Sequence, residues 1–196
     1  MASPAPKPGT PKRDTKEELV NATIKLASRG GMEAASVRSI TREAGVTEGA
    51  LYRHYRSKEQ LWVEVYTRIV EAMAEDKAVL LDAELPAREC LGEWIRLTYV
   101  YYDGNRDAFN YVLLAPKSLA DSLGEVYKRQ GRLFMELFTR LSARGEVREL
   151  DPKLALAIFG GIVLAVPRLV NEGGLEPPAS GYVEEITDAV WRALGN

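Results

Sequence analysis

The residues best placed to do chemistry lie in one short stretch, TREAGVTEGALYRHYRSKEQL, from Thr41 to Leu61. Gly45 and Gly49 interrupt it, and Tyr52, Arg53, His54, Tyr55, Arg56 and Lys58 then follow almost without spacing. His54 is the chain's only histidine and Cys90 its only cysteine. Acid, base and nucleophile candidates are nowhere assembled in a motif that would move a proton or carry a covalent intermediate. What the cluster offers is hydrogen-bond donors and fixed positive charge, suited to phosphate oxygens and base edges. Metal-ligand spacings such as paired CxxC or HExxH do not occur, so neither a metal nor another cofactor is expected.

The elements that must position this cluster are helical. Thr15-Lys16-Glu17-Glu18 has capping-box form and opens a first helix, with Leu19, Ala22, Thr23, Leu26 and Ala27 on one face and Gly30-Gly31 at its end. Ser36 caps a short second helix whose Val37, Ile40 and Ala44 face inward, and Gly45 stops it. Thr47 caps a third helix after only two residues of turn. Ser57-Lys58-Glu59-Gln60, a second capping box, opens a fourth with Leu61, Trp62, Val65, Ile69 and Met73 as its apolar face. A helix, a tight glycine turn and a second helix make a helix-turn-helix. With Val46 and Leu51 as anchors, Glu48, Gly49, Ala50, Arg53 and His54 are left on or near the outside, Thr47 and Glu48 at the leading end, and Tyr52 and Tyr55 at the edges. The DNA major groove admits one such helix.

Residues 14 to about 61 resemble the TetR family of bacterial transcriptional regulators. The likeness is carried by the opening amphipathic helix, by SVRSITREAGVTEGALYRHY and by SKEQL. Tyr55 stands where phenylalanine is usual, and Glu48 where relatives often have a basic or small residue. The resemblance implies that Ser36, Arg38, Thr47, Glu48, Gly49, Ala50, Tyr52, Arg53, His54 and Lys58 touch double-stranded DNA. It also implies that the rest of the chain dimerises and binds a small-molecule effector.

Beyond Met73 the pattern predicts further helices to about Leu81, then over 87–103, 106–114, 118–143, 152–171 and 182–194, giving an all-α fold. Three parts are expected: a disordered arm at 1–13, a DNA-binding domain at 14–60, and a helical ligand-binding and dimerisation domain at 61–196. Trp94, Tyr99, Tyr101, Tyr102, Phe109 and Tyr111 crowd six aromatics into a short interval. Trp94, Thr98, Tyr102, Phe109, Tyr111, Phe134 and Phe138 are the expected lining of a mostly apolar pocket. Small residues Ala157, Gly160 and Gly161 with Leu164, and the amphipathic Val183, Ile186, Val190 and Trp191, are the stripes that the resemblance assigns to a homodimer interface. Pro167 should kink or end the first of these helices.

The net charge of -2 conceals a basic amino-terminal part followed by a more acidic remainder, a distribution that permits polyanion binding. A single cysteine forms no internal disulfide, and the apolar run from Leu154 to Pro167 is too short to cross a bilayer. A cytoplasmic protein with no membrane association is expected. These features together indicate a homodimeric, effector-responsive repressor, not an enzyme, that reads a palindromic operator and is released by a small apolar or aromatic molecule. Two rivals stand beside it: a DNA-binding regulator without an effector, constitutive or switched by oxidation of Cys90, and a helical enzyme or carrier using the aromatic pocket.

Overall fold

The computed structural model describes residues 14–115 and 120–196, the side chains of residues 32, 120 and 121 excepted. The expected arm at 1–13 lies outside them. Eleven α-helices are found among the described residues: α1 Thr15–Ala34, α2 Val37–Ala44, α3 Glu48–His54, α4 Lys58–Ala78, α5 Ala87–Gly104, α6 Arg106–Leu113, α7 Ala120–Leu123, α8 Arg129–Ala143, α9 Pro152–Val163, α10 Ala165–Glu172 and α11 Val183–Leu194. Among these residues there is no named strand, and the fold is all-α with an amino-terminal helix-turn-helix.

Local chemistry sets the boundaries. The cap of α1 is Asp14, one residue before the expected Thr15: its Oδ1 accepts the amides of Lys16 at 3.0 Å and Glu17 at 3.4 Å. A carboxylate satisfies those free amides while sitting at the positive end of the helix. Gly30 and Gly31 leave helical dihedrals, so α1 bends before it ends. α4 runs to Ala78 and tightens into a 3-10 turn at Val79–Leu81.

The single helix expected over 118–143 is instead α7, a 3-10 turn at Val126–Lys128, and α8. Gly124 adopts φ +52, which only glycine takes without strain, and the chain turns there. The start of that expected helix, residues 118 and 119, lies outside the described part.

The long carboxyl-terminal apolar helix is likewise divided, into α9 and α10, at Leu164. Pro167 has no N–H, which leaves the carbonyl of Val163 without its helical donor. The buried Tyr99 hydroxyl from α5 donates to that carbonyl at 2.8 Å. Pro152–Glu172 taken together is, by length and composition, long and apolar enough to cross a membrane, contrary to the expectation from the shorter run 154–167, and a third of its window is buried inside the chain.

The core is one contiguous cluster running from Leu19, Ile40, Leu51, Tyr55 and Leu61 through α4 to Leu91, Ile95, Phe134, Phe138, Val190 and Leu194. α4 belongs to both ends of it. Leu61 and Val65 are buried at the start of α4, near the helix-turn-helix, and Met73 and Ala74 toward its end, where α4 meets α5 and α8. α6 makes a second bridge, donating from the Tyr111 hydroxyl to the Trp62 carbonyl at 2.9 Å and accepting at Asp107 from Ser28 of α1 at 3.0 Å.

Candidate nucleic-acid interface and effector cavity

The turn between α2 and α3 follows from Gly45, whose φ of 67 is the left-handed conformation of a helix C-cap. Its amide reaches the Arg42 carbonyl at 3.2 Å, and the Val46 amide reaches Thr41 at 2.9 Å. These bonds close α2 and aim the chain into α3 within two residues. At the other end of α2 the Ser36 hydroxyl accepts the Ser39 amide at 3.2 Å, and at the start of α3 Thr47 accepts the Ala50 amide at 3.2 Å. Ser57 accepts the Gln60 amide at 3.2 Å, and the Gln60 side-chain oxygen accepts from the Arg56 amide at 2.7 Å, one residue before the Ser57 amide that a full capping box would engage.

Leu51 and Tyr55 anchor α3 in the core at 0% and 1% exposure. Tyr55 thus packs inward, and burial pushes its hydroxyl up to about 12. The opposite side of α3 is open. Thr47, Glu48, Gly49, Tyr52, Arg53 and His54 are exposed and Ala50 is half-buried, while Ser36 and Arg38 are exposed at the start of α2. Lys58 is half-buried at the N-terminus of α4, its ammonium 4.2 Å from the Trp62 ring centroid. None of the ten is buried.

Among the described residues, no carboxylate lies within 4 Å of the charged groups of Arg38, Arg42, Arg53, Arg56 or Lys58. Neighbouring cations behave differently. Lys25 is paired with Glu43, whose carboxyl it holds below the usual range, chiefly by a hydrogen bond. Lys16 binds Glu64 at 2.6 Å and Arg68 binds Glu17 at 2.6 Å, tying α1 to α4. These five cations thus lack the carboxylate partners that Lys16, Lys25 and Arg68 have.

A cavity of about 350 Å³ opens in the carboxyl-terminal part, between α4, α5, α6, α8 and α9. Trp94, Thr98, Phe109 and Phe134 line it. Phe134 stacks on Phe159 at 4.3 Å between centroids and meets the edge of Trp94 at 5.6 Å. The other three residues expected there lie outside its lining. Tyr102 donates to Asn171 at 2.7 Å, Tyr111 is held on Trp62, and Phe138 sits fully buried behind Phe134. Periodicity marks all of them as inward-facing but cannot separate a cavity wall from packed core.

Sequence reasoning passed over Tyr66, Lys77, Gln130 and Phe159, all of which line the cavity. A signal existed for Lys77, which extends the series Ile69, Met73 at helical spacing and so falls on the apolar face of α4. Gly160 and Leu164, expected at the dimer interface, also border the cavity.

The remaining interface residues divide. Ala157 and Gly161 are exposed on α9, as is Leu164 just beyond its end, with Leu154 51% and Leu164 38% exposed. Val183, Ile186 and Trp191 are half-buried, and Val190 is wholly buried within the chain, where it can present nothing to a partner. Cys90 is also fully buried. Its thiol faces the Leu85 carbonyl at 3.7 Å and is pushed up by burial, conditions that suppress the reactive thiolate.

Residues 16–65 match the family model described as bacterial regulatory proteins, tetR family. The chain is 25% identical to the nucleoid occlusion factor SlmA of Vibrio atlanticus over 95% of its own length and 96% of that protein. It is 29% identical to the HTH-type transcriptional repressor KstR of Mycolicibacterium smegmatis over 70% of its length and 67% of the repressor. Its fold matches that of the transcriptional regulator FadR from Bacillus subtilis, solved in complex with stearoyl-CoA, with a TM-score of 0.77, 17% identity, and coverage of 89% of this chain and 96% of that one.

Proposed function

The chain belongs to the TetR family of bacterial regulatory proteins, and from that premise we propose that it is an effector-responsive repressor that reads a two-fold operator as a homodimer in the cytoplasm. Residues 14–60 form the reading head and 61–196 the effector-binding and dimerising part. The observation that carries this reading is the outward face of α3, where unpaired cations and small residues sit together above the Leu51 and Tyr55 anchors.

In this reading the small side chains of Gly49 and Ala50 let α3 approach base edges, while Thr47, Glu48 and Arg53 meet them. Ser36, Arg38, Tyr52, His54 and Lys58 hold the flanking phosphates. The exposed stripe of Leu154, Ala157, Gly161 and Leu164, with Val183, Ile186 and Trp191, is where the second protomer packs. The two heads must then sit about 34 Å apart, one turn of DNA, or a multiple of it.

α4 couples the two activities, because Lys58 lies beside the reading helix while Tyr66, Met73 and Lys77 line the cavity. An effector that fits the cavity better in the conformation with displaced heads lowers operator affinity by that difference. The FadR structure solved with stearoyl-CoA supports an apolar, chain-like effector for a cavity lined this way.

A second reading has its own support. The likeness to a nucleoid occlusion factor, a relative not named as a transcriptional repressor, spans nearly the whole chain; the alternative is a DNA-binding protein with no effector. The buried thiol of Cys90 makes an oxidation switch its weaker form, and no catalytic set has emerged in the cavity to favour an enzyme. The test is the double variant Arg53→Ala, Tyr52→Phe. It should lose specific operator binding and stay a folded dimer, and retained specific affinity would overturn the reading of α3.

A further inference from the structure

The cavity holds a buried cation with no anion. Lys77, in the last turn of α4, is 3% exposed. Its ammonium lies 3.3 Å from the Gln130 side-chain oxygen and 5.4 Å from the centroid of the Trp94 ring. Among the described residues no carboxylate comes within 4 Å of it; the acidic group whose field reaches it is its chain neighbour, Asp76. Burial holds the amine below the ordinary lysine range, at about 8. An ammonium carries three donors, and an amide oxygen and an aromatic face replace its lost hydration only in part.

Two other polar side chains of the wall are already engaged, and Tyr66 and Tyr127 also line it. The Thr98 hydroxyl donates to the Trp94 carbonyl at 2.8 Å, and the Gln130 amide nitrogen donates to the Val70 carbonyl at 3.1 Å. That second bond orients the Gln130 oxygen toward Lys77. Around this one cationic point the surface is apolar, formed by Met73, Trp94, Phe134, Leu156 and Phe159. A neutral molecule would fill the apolar space and leave the ammonium uncompensated. A molecule with an apolar body and an anionic end satisfies both.

We propose that the cavity binds an amphipathic carboxylic acid, its carboxylate on Lys77 Nζ and its hydrocarbon body against Trp94, Phe134 and Phe159. The proposal rests on the reading of this cavity as the effector site and names the chemistry the effector must have. It separates a free acid from its neutral esters and thioesters, whose carbonyl can accept a hydrogen bond but cannot neutralise the charge. Because Lys77 is on α4, the helix that also begins beside the reading head, the new ion pair forms on the element that links the two activities.

The experiment uses the full chain, wild type and Lys77→Met, with dodecanoic acid and methyl dodecanoate as probes at pH 7. Binding is followed by isothermal calorimetry and by quenching of the fluorescence of Trp94, which lines the cavity. Wild type should bind the acid about tenfold or more tighter than the ester. In Lys77→Met the acid should fall to the affinity of the ester, and the ester should be unchanged. Equal affinities in wild type, or an acid preference that survives in the variant, overturns the carboxylate assignment and leaves the cavity as an effector site. Binding of neither probe overturns the cavity reading itself, and the assignment with it. A measurement on wild type alone keeps the test valid if the variant misfolds: acid binding at pH 9 should take up protons from the buffer, because the carboxylate draws a proton onto an amine that is mostly neutral there. Binding with no proton uptake overturns the assignment.

Discussion

Replacing Lys77 by methionine keeps an unbranched side chain of similar length and removes the buried charge. In the folded chain the amine sits at about 8, against an ordinary value of 10.5. At about 1.36 kcal/mol for each tenfold change in proton affinity, the charged form costs the empty protein roughly 3 kcal/mol. Below pH 8 the amine is protonated in both folded and unfolded chains, so that cost is fully present. Between about 8 and 10.5 the unfolded chain binds more protons, and the stability of the wild type rises with pH. Above that range both states are neutral and the cost is gone.

Lys77→Met should therefore be more stable than wild type at pH 7. The gain should be roughly 2–3 kcal/mol once the lost Trp94 and Gln130 contacts are allowed for, or about 4–12 °C in Tm for a chain of this size. The advantage should shrink steadily as pH rises toward 10.5. Urea titrations of both proteins at equal protomer concentration, from pH 7 to 10.5, measure it. A variant less stable than wild type at pH 7, or an advantage independent of pH, would refute the claim that the empty cavity carries an uncompensated ammonium.

Tyr99→Phe leaves the Val163 carbonyl, which Pro167 already deprives of a donor, without a partner. It should cost about 1–3 kcal/mol in chemical denaturation. Gly45→Ala forces a side chain into the left-handed conformation at φ 67 and should lower stability by about 1–2 kcal/mol, with a disproportionate loss of DNA affinity because α3 is re-aimed. Lys58→Ala, if Lys58 holds one phosphate per protomer, should reduce the slope of log K against log salt by about 2 per dimer, with little change in sequence preference in a binding titration.

The amino-terminal third was legible in the sequence because its signals are local. A hydroxyl or carboxylate cap, a left-handed glycine and a short turn each act within a few residues, so Ser36, Gly45, Thr47 and Ser57 could be placed from their neighbours alone. Even the shift of the first cap from Thr15 to Asp14 is a choice between adjacent candidates for the same amides.

The cavity was legible only in part, because it depends on contacts between distant helices. Trp94, Thr98, Tyr102 and Tyr111 are all inward-facing by periodicity. Which of them meet empty space is decided by α8 and α9 for the first two, and by Asn171 and Trp62 for the others. The division of the 118–143 helix turned on Gly124, a residue that a helix tolerates at modest cost unless tertiary packing asks for a turn. Lys77 was hidden by its type: a lysine is read as surface even when its spacing places it on an apolar face.

The central claim is that the exposed face of α3 reads a two-fold DNA sequence. The most direct measurement is selection of bound duplexes from a randomised pool by the full-length wild-type protein, followed by sequencing. Enrichment of an inverted repeat is expected, with half-site centres about one helical turn, or a multiple of it, apart. Enrichment of no motif, or of a single site without two-fold symmetry, would contradict it.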